Sequence, residues 1–417
     1  MSFDQVQATL QAALHSGIHI EARSFGSYLG TRPSMFSEFV STESTIYHQM
    51  IELLKRHERL NLFDGGALII GGTGMRVELP LLADWLLITS VRQSAQIAID
   101  WLEGFLNGQY REGIEVLAVS GITVSEPFFV TDNVQIIPFS DLPQSFQKDE
   151  LSDDADSLSW PSLMRQPQYV APTIAVVSYH TNVVRLGPEL RLSPEYPPPF
   201  PFLVSELFDL ASVLAVIGPC SPTPVATWIQ ALSPEHIPVA RMGYGAGTMI
   251  HEAWPRTNVM VSTVEVHAVA ADFLALPKQT KERLSVPLSR LALSSKRMQR
   301  TDRAIELGIA LESLLIASEG ENNTEISYRV RQRGALLGSN TAQERTKISK
   351  LIGTMYSLRS SAVHRGKVQE SEDTDRILDD AAQLCALLIR QIIKRKGFPD
   401  WATWLCSANF PDELGER

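Results

Sequence analysis

In the segment Arg359-Ser360-Ser361-Ala362-Val363-His364, an arginine and a histidine stand five residues apart, with Arg365 and Gly366 directly after them. An imidazole titrates near neutral pH and can move a proton in either direction. A guanidinium stays charged and presents a fork of donors that fits two phosphate oxygens at once. Together the two residue types suit phosphodiester cleavage without a metal: one hydroxyl is deprotonated, the pentacoordinate phosphate is stabilised and the leaving oxygen is protonated. The sequence offers no competing carboxylate-rich metal site of comparable definition. Five residues on an ideal helix turn through about 500°, which leaves the two side chains about 140° apart. Either the helix is distorted at this point, or a second copy of the motif completes the site.

The elements that must hold this pair are helical. Apolar residues recur at three- and four-residue intervals in three sets. These are Ala304, Leu307, Leu311 and Leu314; then Ile348, Leu351, Met355, Leu358 and Ala362; then Ile377, Ala381, Leu384, Leu388 and Ile392. Each stripe has to be buried against another, and short connections favour antiparallel packing. Thr341 with Glu344 fits a capping box. Ser371 before Glu372, Asp373 and Asp375 places a cap and acids at a helix's positive end. Gly366 can end the helix that carries His364. A helical bundle over about residues 285–396 is therefore expected, with residues 397–417 as a tail whose Trp401 and Trp404 pack onto the body.

Three segments in succession carry a resemblance. The first is Ile309-Ala310-Leu311-Glu312-Ser313-Leu314-Leu315. The second is Tyr328-Arg329-Val330-Arg331-Gln332-Arg333-Gly334-Ala335-Leu336-Leu337, and the third runs from Tyr356 to Gly366. Over about 110 residues this order is similar to Apea-like HEPN domains. The resemblance implies a metal-independent endoribonuclease with Arg359 and His364 as its R-x4-H pair, leaving a 2′,3′-cyclic phosphate and a 5′-hydroxyl. It implies no cofactor and no metal, and a homodimer that brings two motifs together across the bundles. Arg359 is then the electrostatic stabiliser, and His364 the general acid or a phosphate-binding imidazolium. Tyr356 and Ser360 are supporting residues, Ser360 either orienting the arginine or covering it. Arg365, Arg333 and Arg329 are candidate RNA contacts, each with solvated helix surface as the alternative. Ser360 stands where Asn or Asp is common among HEPN domains, and Arg365 separates His364 from Gly366 where relatives often have His-Gly. Proteins with this arrangement act as toxins or in abortive anti-phage defence, which implies an RNA substrate, tRNA among the candidates, and a phage-derived or protein trigger read by the N-terminal region. A non-catalytic dimeric HEPN module that binds RNA or a protein partner is the alternative reading.

The rest of the chain sets the context. At 417 residues, two or three domains are expected. Residues 1–147 mix helix and strand signals: an apolar run at Ala67–Ile70 enters Gly71-Gly72-Thr73-Gly74, a helical pattern in one or two pieces covers Leu81–Leu106, and strand-like alternation runs from Glu115 to Pro138. The four glycine-rich residues lack both a Walker lysine and a full GxGxxG, so a tight turn is expected. Residues 148–172 are acidic and read as a linker or long loop. Residues 173–284 continue the mixed region or form a second α/β domain, with a short strand at Thr173–Tyr179, a proline-rich connector at Pro194–Pro201 and a buried helix within Phe202–Cys220. The expected fold class is α+β, a mixed region followed by an all-α bundle.

The net charge of −10 divides unevenly: residues 290–396 hold 19 Lys+Arg against 13 Asp+Glu, a balance of +6, which leaves −16 on the remainder. Attraction of a polyanion is local and screened within about 8–10 Å, so the acidic total does not exclude RNA at the basic segment. An acidic face of the N-terminal region could instead mimic RNA and restrain the nuclease. Cys220, Cys385 and Cys406 form no CxxC pair, which fits neither a disulfide framework nor a zinc ribbon. Cys220 is expected to be a buried thiol. His15 and His19 have no third ligand nearby and read as helix surface. With no basic run before an apolar core at the N-terminus, a cytoplasmic protein without membrane spans is expected.

Overall fold

The computed structural model describes residues 3–22, 38–40, 44–70, 73–107, 110–143, 145, 147–148, 151, 170–187, 204–218, 220–231, 244–249, 251, 253–316 and 325–406. The proline-rich connector and most of the acidic stretch lie outside the described residues.

The chain opens with α1 (Phe3–Ser16), β1 (Ile20–Ala22), β2 (Glu38–Val40), α2 (Thr45–Arg56), β3 (Ala67–Ile70), β4 (Thr73–Arg76), α3 (Leu79–Arg92) and α4 (Ala95–Asn107). β3 and β4 pair antiparallel with Ile70 opposite Thr73, as a tight turn requires; Gly71 and Gly72 themselves lie outside the described residues. The helical pattern of Leu81–Leu106 falls into two pieces because Ser94 accepts the Ile97 N–H at 3.1 Å and so starts a new helix. α3 is buried on every side through Leu82 to Ser90, and it joins α1, α2 and α4 around one apolar core containing Leu10, Met50, Trp85 and Leu102.

The sheet comes next: β5 (Tyr110–Ser120), β6 (Ile122–Thr123), β7 (Phe128–Phe129), β8 (Val134–Pro138), β9 (Ile174–Gly187), the helix α5 (Val204–Val213), then β10 (Thr223–Ala231), β11 (Tyr244–Thr248) and β12 (Val259–Met260). Its order is β11-β10-β5-β9-β3-β4, all antiparallel. β8 adds to the first half of β9, alongside the edge that β3 takes further on, and β7 pairs with β8. β6 and β12 form a separate parallel pair. β5 ends at Gly121, whose φ of +91° and close approach to the Ser221 carbonyl oxygen admit no Cβ. Side-chain alternation puts Leu117, Val119, Ile174 and Val176 on one face, and Val116, Ala118, Ala175 and Val177 on the other. Both faces are buried.

The C-terminal part is helical: α6 (Thr263–Leu274), α7 (Lys278–Lys296), α8 (Arg300–Leu315), α9 (Ile326–Gly338), α10 (Ala342–Arg365), α11 (Glu372–Lys394) and α12 (Trp401–Cys406). It begins earlier than the expected residue 285, which falls inside α7. Thr341 caps α10 by accepting the Glu344 N–H, but the capping box is only half formed. The Glu344 carboxylate takes Lys347 at 2.6 Å instead, and the Thr341 N–H goes to Ser339. Ser371 caps α11, and Gly366 ends α10 at φ +66° with its N–H on the Ala362 carbonyl. Glu306 of α8 is buried and held by Arg290 at 2.9 Å and by Arg297 at 3.0 and 2.7 Å, which fixes α7 to α8. The tail tryptophans pack as expected: Trp401 is buried against Trp404, with Arg333 over the first ring and Arg395 over the second. No helix among the described residues is long and apolar enough to cross a membrane.

The core of the bundle is continuous with that of the sheet. A single cluster runs from Leu117, Val119 and Val176 of the sheet through Leu207 and Leu214 to Leu307, Leu311, Ile352 and Leu388. Cutting at residue 285 severs α7 and uncovers that face. The isolated 285–396 fragment is expected to bind a hydrophobic dye and to melt without a cooperative transition, whereas the full chain melts cooperatively; a sharp fragment melt would contradict the shared core.

Lys296, at the end of α7, is half-buried and makes no hydrogen bond or ion pair among the described residues. Burial pulls its ammonium down to about 8 and also lowers the pKa of the neighbouring His251. Because the folded value lies below the unfolded one, the penalty is complete below about pH 8 and fades as pH rises to the unfolded lysine value. Lys296→Met is therefore expected to stabilise the chain by about 2 kcal/mol at pH 7 in urea titrations, with the gain vanishing above roughly pH 10.5.

Candidate functional site

α10 is unbroken from Ala342 to Arg365, so no distortion brings Arg359 and His364 onto one face. Arg359 faces α8. Its Nη2 donates to Glu312 Oε2 at 3.3 Å, an ion pair in which the arginine side chain keeps 33% of its surface exposed and the glutamate 24%. The Arg359 Nε is buried and has no acceptor among the described residues. Gly308, one turn before Glu312 on the same face of α8, makes the approach possible: a Cβ there would meet Arg359 Cγ at 2.6 Å and Cδ at 3.2 Å. The arginine stem lies across the gap left by the missing side chain. A glycine inside a helix costs about 1 kcal/mol relative to alanine, so its presence is explained by this contact.

Tyr356, one turn before Arg359, completes the group. Its hydroxyl is buried close to the Glu312 carboxylate without a hydrogen bond of good geometry. Burial first, and then the charge of Glu312, push its ionisation well above the ordinary phenol range, so Tyr356 remains protonated. His364 sits in the last turn of α10, exposed, beside exposed Val363 and Arg365. Ser360 is exposed and makes no hydrogen bond among the described residues; the side chain that Arg359 bonds is Glu312. Thus Tyr356 and Arg359 come together, and His364, Ser360 and Arg365 occupy an open surface next to them.

The expected RNA-lining arginines need correction. Arg333 is only 4% exposed: its Nη1 caps α8 through the Leu315 carbonyl at 2.8 Å, and its guanidinium lies 5.2 Å from the Trp401 ring. It is an internal strut, and Arg329 beside it is half-buried and engaged. Several arginines of the segment are engaged in ion pairs within it. Arg290 and Arg297 hold Glu306, Arg300 forks onto Asp375, and Arg303 reaches Asp379. Exposed cations at the end of α10 are Arg365 and Lys367.

Sequence reasoning points to Arg359 and His364 but not to Glu312 or Gly308 as site residues. The four-residue spacing of Gly308 and Glu312, with glycine mid-helix, is the available signal. The discounted features behave as expected where they are described. Cys220 is buried with its thiol pushed up to about 12, and it donates to the Leu214 carbonyl. His15 is exposed on α1. No known protein family, curated protein or solved structure matches this chain.

Arg333→Ala is expected to lower stability by about 2–3 kcal/mol, because it leaves a buried carbonyl and a ring face uncovered. Thermal melts check this, and its RNA affinity per folded molecule should equal that of the unaltered chain.

Proposed function

We propose that this protein is a metal-independent endoribonuclease of the HEPN type, working as a homodimer and cleaving RNA by attack of the 2′-hydroxyl. The observation that carries the reading is a phosphate-matching arginine fixed by a carboxylate on a continuous helix, with an open histidine at that helix's last turn. On this reading Arg359 neutralises the charge that builds on the phosphate, a term that electrostatic sites of this kind make large. The proton of the attacking 2′-hydroxyl passes to water, and His364 supplies one to the departing 5′-oxygen as the P–O5′ bond breaks. The angle of about 140° between the two on an undistorted helix favours a composite site, in which the arginine of one copy works with the histidine of the other. The biological setting we infer is a toxin or anti-phage effector whose N-terminal region responds to a trigger.

A non-catalytic bundle is the second reading, favoured by one feature: Arg359 already has a carboxylate partner, as a purely structural arginine would. A single experiment separates the two. The full chain is incubated with an RNA pool in the presence of EDTA, and fragment ends are mapped. Cleavage leaving 2′,3′-cyclic phosphates, reduced at least 100-fold in both Arg359→Ala and His364→Ala, is the expected result. Activity equal to the unaltered chain in either variant would sink the assignment, and intact RNA with a measurable affinity would establish the binding module.

A further inference from the structure

We propose that Glu312 is the positioning residue for Arg359, fixing its guanidinium for phosphate across a gap that only Gly308 provides; the proposal rests on the ribonuclease reading. An arginine has four side-chain torsions, and freezing them costs up to about 2 kcal/mol of rotamer entropy. When that ordering is in place before substrate arrives, it is not subtracted from transition-state binding. Three contacts supply it here. Glu312 takes Nη2, Gly308 accepts the aliphatic stem, and burial of Nε keeps the plane of the group from turning freely. Nη1 has no acceptor among the described residues and a third of the side chain is exposed, which leaves donors for an incoming phosphate oxygen.

The contact with Glu312 also has the character of a guide more than of a neutralising pair. It is single and long at 3.3 Å, whereas Arg297 on Glu306 in the same bundle makes two bonds of 3.0 and 2.7 Å. Tyr356 places a protonated hydroxyl near the carboxylate without a hydrogen bond of good geometry, so it adds no competing charge.

The test compares Glu312→Gln, Glu312→Asp and Gly308→Ala in the full chain, with Arg359→Ala and His364→Ala in the same RNA-cleavage assay. Glu312→Gln is expected to lower kcat about tenfold while KM changes less than twofold, and Glu312→Asp to recover part of the loss. Gly308→Ala should show the same kcat signature with an almost unchanged melt, because the helix-propensity gain of alanine offsets the crowding of Arg359. A kcat equal to the unaltered chain in both Glu312→Gln and Gly308→Ala overturns the proposal, as does faster or tighter-binding Glu312→Gln, which would make Glu312 a restraint. If Arg359→Ala and His364→Ala also cleave normally, it is the ribonuclease reading that fails. Should no cleavage occur at all, the Arg359 Nε–H resonance in arginine-labelled protein decides. Loss or broadening of that signal in Glu312→Gln supports positioning, and an unchanged signal overturns it.

Discussion

An antiparallel sheet with two apolar faces cannot leave either of them in water, and most of this architecture follows from how the face made by Leu117, Val119, Ile174 and Val176 is covered. α5 lies against it, and the C-terminal helices complete the cover, so the sheet supplies one wall of the core that the bundle closes. The opposite face, with Val116, Val177 and Trp228, has a smaller cluster of its own, and the first four helices pack around a third. The helix bearing Arg359 is thereby anchored, through Ile352, Met355 and Ala362, to a core that reaches back to residue 117. Its rigidity is a property of the whole chain more than of the bundle.

The site draws on this rigidity in two ways. α8 is held to α7 through the buried Glu306 and to α11 through Arg300 and Arg303. Fixed in this manner, it presents Gly308 and Glu312 to α10 at a set distance. A buried carboxylate served by two arginines is costly to assemble and costly to break, and what it contributes is a defined register between helices. The acid that touches Arg359 is more exposed and more loosely held. Structural and site carboxylates on one helix thus differ in burial and in the number of bonds they accept.

Local signals make much of this legible from the residues alone. The stripes of Ala304 to Leu314 and of Ile377 to Ile392 mark the helices because each must bury one face, and Ser371 and Gly366 mark ends because their chemistry acts within a turn. Alternation exposes β5 and β8, and the break at Gly121 carries its own cause. What stays hidden is of long range. Nothing near residue 285 announces that α7 runs through it, since that helix is polar, contains Pro287 and shows its burial only against α8 and the sheet-side elements. Arg333 misleads because arginines are mostly exposed, and its strut depends on Leu315 and Trp401, eighteen and sixty-eight residues away. Glu312 likewise meets Arg359 across 47 residues. The motif carries the chemistry of the pair, while the partner that orients it is written only in the packing.

The bonds along α8 also limit how the protein can move. Glu306 and Glu312 are about 9 Å apart on the helix axis and look to different neighbours, α7 and α10. Sliding α8 by one turn would break both attachments together and drive the Arg359 stem out of the notch at Gly308. The ties of Arg300 and Arg303 to α11 add to this restraint, so the position of Glu312 against Arg359 is coupled to the packing of three neighbouring helices.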